Sequence, residues 1–172
     1  MLLGSQRQGH FADKEATLKI RQATAQDIDA ILALNQQIGQ LHYAQYPDVF
    51  CPPSPEERAF MLQVIGSEDR LFCVAQLGNR VVGFLTARID INRTVPFLSK
   101  QPICWVSSVV VDEHHRSQGI GRALIAHSER WAHERDAKQV RLEVMILNER
   151  AALLYESLGF TRLSQTLTKQ LS

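Results

Sequence analysis

Apolar positions along the chain recur with two periods, two residues in some stretches and about 3.6 in others, the signatures of strand and helix. In "TLKIRQAT" Leu18 and Ile20 stand between polar neighbours, which predicts a first strand. Thr24 with Asp27 three residues on resembles a capping box, and Ile28, Ile31, Leu32, Leu34, Ile38 and Leu41 supply the stripe of a first helix. Pro47, Pro52, Pro53 and Pro55 break the chain. A second helix should start at Ser54, with Pro55 in its first position, Glu57 completing the box and Gly66 as the stop. "RLFCVAQL" and "RVVGFLTARID" flank Gly78-Asn79, which predicts a hairpin. After a loop from about Ile91 to Pro102, "ICWVSSVVV" reads as a fourth strand. Ile120, Leu124, Ile125 and Trp131 mark a helix from Gly119 to about Arg135. "QVRLEVMI" reads as a fifth strand and Asn148 to Leu158 as a fourth helix, closed by Gly159. "FTRLSQTLTKQL" should be extended and supply a last strand.

The resulting order is βααββ-βαβαβ, without internal repeats or low-complexity segments. Joining strands four and five through a helix needs a crossover, so these two run parallel, whereas the hairpin is antiparallel. A mixed α/β sheet with helices on both faces is the implied architecture. Residues 1–16 read as a flexible N-terminal arm and 17–172 as a single domain, which suits a chain of 172 residues.

Composition narrows the function. The formal net charge of +1 argues against a nucleic-acid footprint, which shows as a basic patch or balance. No apolar run approaches the roughly 20 residues that span a bilayer, and Leu2 and Leu3 alone make no signal-peptide core. A soluble, cytoplasmic protein without membrane partners is expected. Cys51, Cys73 and Cys104 are odd in number and form no CxxC pair, so reduced thiols rather than disulfides or a zinc site are expected. His114 and His115 have no partner at metal spacing and read as exposed loop residues; no metal is expected.

The chemistry concentrates in "VVVDEHHRSQGIGRALI", where a strand passes through a glycine-containing turn into a helix. Gly119 and Gly121 allow close backbone approach, and the helix N-terminus favours phosphate oxygens. Arg116 and Arg122 add positive charge. The spacing fits neither the P-loop nor GxGxxG. It resembles the acyl-CoA-binding segment of the GNAT superfamily of N-acetyltransferases, whose Arg/Gln-x-x-Gly-x-Gly/Ala pattern is met by Arg116, Gly119 and Gly121. "LEVMILNERAALLYESLGF" is similar to that family's second segment through Asn148, Ala151, Tyr155 and the "LGF" ending.

The resemblance implies a GNAT-like, mostly antiparallel mixed sheet with a central splayed parallel pair and helices on both faces. It implies acetyl-CoA as co-substrate and no metal. Pyrophosphate would sit on the amides of Ser117, Gln118, Gly119, Ile120, Gly121 and Arg122. Pantetheine would lie along Val109, Val110 and Val111, with amides near Val109 polarising the thioester carbonyl. Asn148, Ala151 and Tyr155 would face the same cleft. The acetyl group would pass to a primary amine by direct attack in a ternary complex, the acceptor being a small-molecule amine or a protein or peptide amine. The protein would act as a monomer or homodimer.

Transfer to an amine poses a proton problem. At pH 7 a lysine resists deprotonation by roughly 4–5 kcal/mol and an α-amine by about 1 kcal/mol. A base helps the amine, and an acid helps the thiolate to leave. Tyr155 is the candidate acid. Glu143 is the candidate base, since it interrupts an apolar strand; "LEV" before this tyrosine resembles the ribosomal-protein-alanine N-acetyltransferase branch. Many relatives carry acidic residues where this chain has Ser107 and Ser108, which leaves Glu143 or a water relayed through serine. His42, Tyr43, Tyr46 and Asp48 lie where the family builds its acceptor wall. Two alternatives stay open: a longer acyl-CoA donor, or a non-catalytic acyl-CoA-binding module on the same fold.

Overall fold

The computed structural model describes residues 17–171, so the arm expected over 1–16 lies outside the described residues. Five strands form one sheet: β1 (Leu18–Gln22), β2 (Arg70–Leu77), β3 (Arg80–Asp90), β4 (Ile103–Val111) and β5 (Gln139–Leu142). They lie in chain order, antiparallel from β1 to β4, with β4 and β5 parallel. Four helices cover the sheet: α1 (Ile28–Gln45), α2 (Glu57–Ile65), α3 (Ile120–His133) and α4 (Glu149–Ser157).

The alternating faces of the strands create two cores. On one side Phe72, Val74, Phe84 and Val110 pack under α1 and α2 through Ile31, Leu34, Met61 and Val64. On the other side Cys73, Leu85, Cys104 and Val106 pack under α3 through Ile120, Leu124 and Ile125, with Tyr155 and Leu158 of α4 joining at the edge. Cys73 and Cys104 are fully buried free thiols, and burial pushes them up to about 12 and about 11. Cys51 is free and exposed. Gly83 permits the close approach of α3, since a Cβ there would lie 2.8 Å from the Val110 carbonyl and 3.3 Å from Ile120 Cγ2.

The helix starts differ in detail from the sequence expectation. Asp27 does reach back to the Thr24 amide at 2.8 Å, but it caps a 3-10 turn over Ala25–Asp27 before α1 begins. The same carboxylate is clamped by Arg21 at 2.7 and 2.8 Å. Glu57 accepts from the Ser54 amide at 3.0 Å, yet Pro55 stays in the preceding turn and α2 starts at Glu57.

Two expectations fail at the chain's end. The fifth strand stops at Leu142 rather than Ile146, and 160–171 forms no strand. Leu163, Leu167 and Leu171 of that tail are exposed, so apolar spacing there found no sheet to pack against. The parallel pair consequently stands at the edge of the described sheet, not at its centre.

Candidate active site

The parallel pair shares four rungs, from Ile103↔Gln139 to Val106↔Leu142, and then parts. At that point β4 carries a bulge. Thr86 faces Ser108 while Ala87 faces Val106, so Ser107 is the extra residue. A bulge bends its strand and raises the local twist. From Ser107 onward β4 therefore keeps β3 as partner on one side and is open on the other. The Asp112 amide donates to the Val82 carbonyl at 2.9 Å, and the Val110 carbonyl faces Gly83. Since backbone polar groups alternate sides along a strand, the amides and carbonyls of Val109 and Val111 face the slot. There Arg116 Nε donates to the Val111 carbonyl at 3.3 Å. Val110 points its backbone the other way, and its side chain is core.

The opposite wall begins where β5 ends. Glu143 is the next residue, exposed and in irregular backbone rather than within a strand. The chain then turns through Ile146 and Leu147 and enters α4, where Asn148 Oδ1 accepts from the Ala151 amide at 3.2 Å as N-cap.

Between the walls lies the turn into α3. Asp112 is buried and gathers His114 N at 3.2 Å, His115 Nδ1 at 3.0 Å and Gln37 Nε2 at 3.4 Å. Burial pushes its carboxyl up, but these hydrogen bonds prevail and hold it below the usual range. His114 is exposed as expected; His115 is not, its side chain being only 17% accessible against Asp112. Ser117 (φ 62°) and Gly119 (φ 80°) both take the left-handed conformation. The first amide of α3 with a backbone partner is Ala123, bonded to the Gly119 carbonyl at 3.0 Å. The amides of Ile120, Gly121 and Arg122 thus stay unpaired at the positive end of the helix dipole. Gln118 is exposed, and Ile120 buries its side chain, so its amide alone is available.

The two glycines have different reasons. A Cβ on Gly119 would meet nothing within 4 Å, so its positive φ is what demands glycine. A Cβ on Gly121 would come 3.0 Å from Leu154 Cδ2 of α4, so helix-to-helix packing is the demand there. The arginines are also redistributed. Arg122 donates to Ser157 Oγ at 2.9 Å and is directed at α4. Arg150, which the sequence reading missed, reaches back from the first turn of α4 to hydrogen-bond Ser117 Oγ. The signal was available: a cation in a first helical turn runs against the helix dipole and asks for another partner.

Tyr155 is held by the end of its own helix. Gly159 (φ 88°) closes α4 in a Schellman motif, with Phe160 N bonded to the Tyr155 carbonyl and Gly159 N to that of Glu156, each at 3.0 Å. The hydrophobic contact that accompanies the motif is the Tyr155–Phe160 edge packing, 5.7 Å between ring centroids. Burial pushes the Tyr155 phenol up, further from neutral pH, so the protonated form is favoured.

The α1–α2 side borders the same region. Tyr46 Oη accepts from the Leu147 amide at 3.4 Å, and Asp48 accepts from Gln170 Nε2 at 2.7 Å, so the expected acceptor wall meets both the β5–α4 loop and the tail. His42 stacks on Phe50 at 4.6 Å, and burial lowers its pKa; Tyr43 is exposed. A pocket of about 90 Å³ opens at the bulge beneath α2. A wider groove of about 450 Å³ runs between α1 and the β2–β3 turn; it reaches Asp112 but not the slot.

The acetyltransferase (GNAT) family profile matches residues 35–160, which include the bulged strand, the turn, α3 and α4. The chain belongs to the acetyltransferase (GNAT) family. An N-alpha-acetyltransferase of Sulfurisphaera tokodaii is 30% identical to this acetyltransferase over 154 residues, spanning 87% of this chain and 83% of the relative. Among solved structures, the tetramutant of the BH1408 protein from Bacillus halodurans shares the acetyltransferase's fold with a TM-score of 0.83 at 24% identity, over 89% of this chain and 99% of that one. The aminoglycoside N-acetyltransferase AAC(6')-Iy, solved in complex with CoA, does so with a TM-score of 0.75 at 17% identity, over 94% and 99%. Among the acetyltransferase's described residues no three His, Cys, Asp or Glu side chains gather as a metal-binding group, and no helix is long and apolar enough to cross a membrane.

Proposed function

We propose that this acetyltransferase moves the acetyl group of acetyl-CoA directly to a primary amine, in a ternary complex assembled at the β4–β5 slot. The observation that carries the reading is the coincidence of the Ser107 bulge, the end of the parallel pairing and the unpaired amides of α3. The residues fit the co-substrate by chemistry: free helical amides and a left-handed turn suit a pyrophosphate, and an unpaired strand edge suits an amide-containing chain. Ser117, Gln118, Gly119, Ile120, Gly121 and Arg122 would hold the phosphates through their amides, with Arg116 and Arg150 as the nearby charges. Val109 and Val111 would bond pantetheine, with Val110 fixing the strand between them. Asn148, Ala151 and Tyr155 form the facing wall. Bound acetyl-CoA supplies an activated acyl thioester.

The chain's own groups then manage charge and protons. The outward Val109 amide would stabilise developing negative charge on the acyl oxygen, a contact whose loss typically costs about 3–4 kcal/mol of barrier. Tyr155, whose phenol burial pushes up, would deliver a proton to the leaving sulfur. Glu143, at the mouth of the slot, would take the proton from the incoming ammonium, directly or through water held at Ser107 and Ser108. An α-amine acceptor is favoured because relatives matched over more than four-fifths of their length are named N-alpha-acetyltransferases. That acceptor also needs only about 1 kcal/mol of deprotonation at pH 7.

The test is initial-velocity kinetics with acetyl-CoA and an unblocked peptide, following CoA release and peptide mass together. Intersecting double-reciprocal lines are expected. Parallel lines would indicate an acetyl-enzyme and refute direct transfer.

A further inference from the structure

The pocket at the bulge has an unbalanced lining. Arg70, Thr86, Ser107 and Ser108 line it together with apolar Phe60, Met61 and Val64, and no carboxylate is among the lining residues. Arg70 stands directly across the β2–β3 ladder from Arg88. Like charges placed directly opposite in a sheet destabilise it, and an anion bound between them would offset that repulsion. Arg88 is partly occupied: it donates to Ser107 Oγ at 3.3 Å, lies 5.9 Å over the Trp105 ring and approaches Asp90 only at 4.0 Å. Among the described residues Arg70 has no ion-pair partner. The neighbouring Asp69 instead accepts from Ser67 Oγ at 2.6 Å.

Resting on the acetyl-transfer reading, we propose that this pocket binds a carboxylate of the acceptor, so that the substrate is a primary amine bearing a carboxylate within about one residue of its nitrogen. A guanidinium fork matches a carboxylate in two hydrogen bonds, and hydroxyls satisfy its remaining lone pairs. The volume of about 90 Å³ is room for roughly three waters, enough for a carboxylate on a short stem. The adjacent slot is where the amine must lose its proton, and nearby guanidiniums favour the neutral amine. They also repel polyamines and lysine-rich chains. The carboxylate has two possible sources: an acidic first side chain of a peptide, or the α-carboxylate of a free amino acid.

Matched acceptors separate these sources. The full chain with acetyl-CoA is assayed on an amidated peptide beginning with aspartate and its asparagine counterpart, and on alanine and alaninamide. The acidic member of at least one pair should show a kcat/KM tenfold or more higher. Arg70→Gln should bring that ratio to within twofold of unity, and Arg70→Lys should restore part of it. In parallel, calorimetry on CoA-saturated protein compares the N-acetylated acidic and neutral products, which bind without reacting. If no acceptor is acetylated but the calorimetric preference exists and vanishes in Arg70→Gln, the anion pocket stands and the transfer reading falls. If both members of both pairs are acetylated equally well, transfer stands and the pocket proposal is overturned. Equal binding of the two products, or a loss in Arg70→Gln that is the same for acid and neutral acceptors, also overturns it.

Discussion

Gly121 offers a quantitative test of how the donor turn is built. Its φ lies outside the left-handed region, so alanine would fit the backbone, and helix propensity favours alanine over glycine by up to about 1 kcal/mol. Against this, the added Cβ would meet Leu154 Cδ2 at 3.0 Å, well inside ordinary contact. Overpacking costs about 1–3 kcal/mol, and because the struck atom ends a flexible side chain the low end, about 1 kcal/mol, applies. The two effects should cancel, leaving Gly121→Ala within about 0.5 kcal/mol of the parent. In a Leu154→Ala background the clash is gone and the propensity gain remains. The double-mutant cycle should therefore show a coupling of about 1 kcal/mol. Urea denaturation of the four proteins, with equal m-values, measures it, and CoA calorimetry is run on the same samples. Gly119→Ala is the contrast: with nothing near its Cβ, it should lose about 1–2 kcal/mol from the left-handed backbone alone, and no neighbour could rescue it. An additive cycle, joined to a tenfold loss of CoA affinity in Gly121→Ala, would refute the packing account and return the glycine to ligand approach.

Tyr155→Phe should fold and bind CoA while kcat falls by roughly 10²–10⁴, the range for a lost general acid; a kcat within twofold of the parent would reduce the tyrosine to its packing on Phe160. Glu143→Gln should lose kcat/KM most at low pH and recover as pH nears the acceptor's pKa; profiles offset by a constant factor would mean that Glu143 positions substrate without taking a proton. The Arg21 clamp lowers Asp27 from 3.8 to about 2, with burial opposing and Thr24 assisting. A depressed carboxyl stabilises the fold above its ordinary pKa and loses that stabilisation as pH falls toward 2, about 2 kcal/mol in all for this nearly buried side chain. Denaturation of Asp27→Asn should thus show a deficit of that size at pH 7 that shrinks below pH 4; a deficit independent of pH would assign the loss to packing.

The elements that carry the slot were legible because each has a local cause. The run of valines, the glycine-containing turn and the helix from Asn148 are written in neighbouring residues. The bulge at Ser107 was not, since it is a matter of register against Thr86 and Ala87 on the neighbouring strand, which no local pattern records. The early end of β5 was missed for a related reason. "EVMI" has strand composition, but beyond Leu142 the parallel partner has turned away and no ladder remains to hold it. The tail failed likewise, its leucines having strand-like company in sequence and no partner in space. At the turn, residue types suggested an anion site but did not give the aim of each charge: Arg122 serves α4, and Arg150, from a segment 33 residues on, serves the turn. The Arg70–Arg88 pairing is equally long-range. Each residue alone reads as an ordinary strand-end cation.

That the strands stand in the sheet in chain order has a consequence for assembly. β2, β3 and β4 join by antiparallel neighbour pairing, which needs only short or moderate loop closures. β5 can add its four rungs only after the chain has closed the longer crossover through α3, and ordering a non-local pair is entropically the slower step. One wall of the slot therefore belongs to the early-forming part of the protein and the other to the late-forming part. A molecule that spans both walls binds the completed fold alone, so by mass action it stabilises the joining of the two.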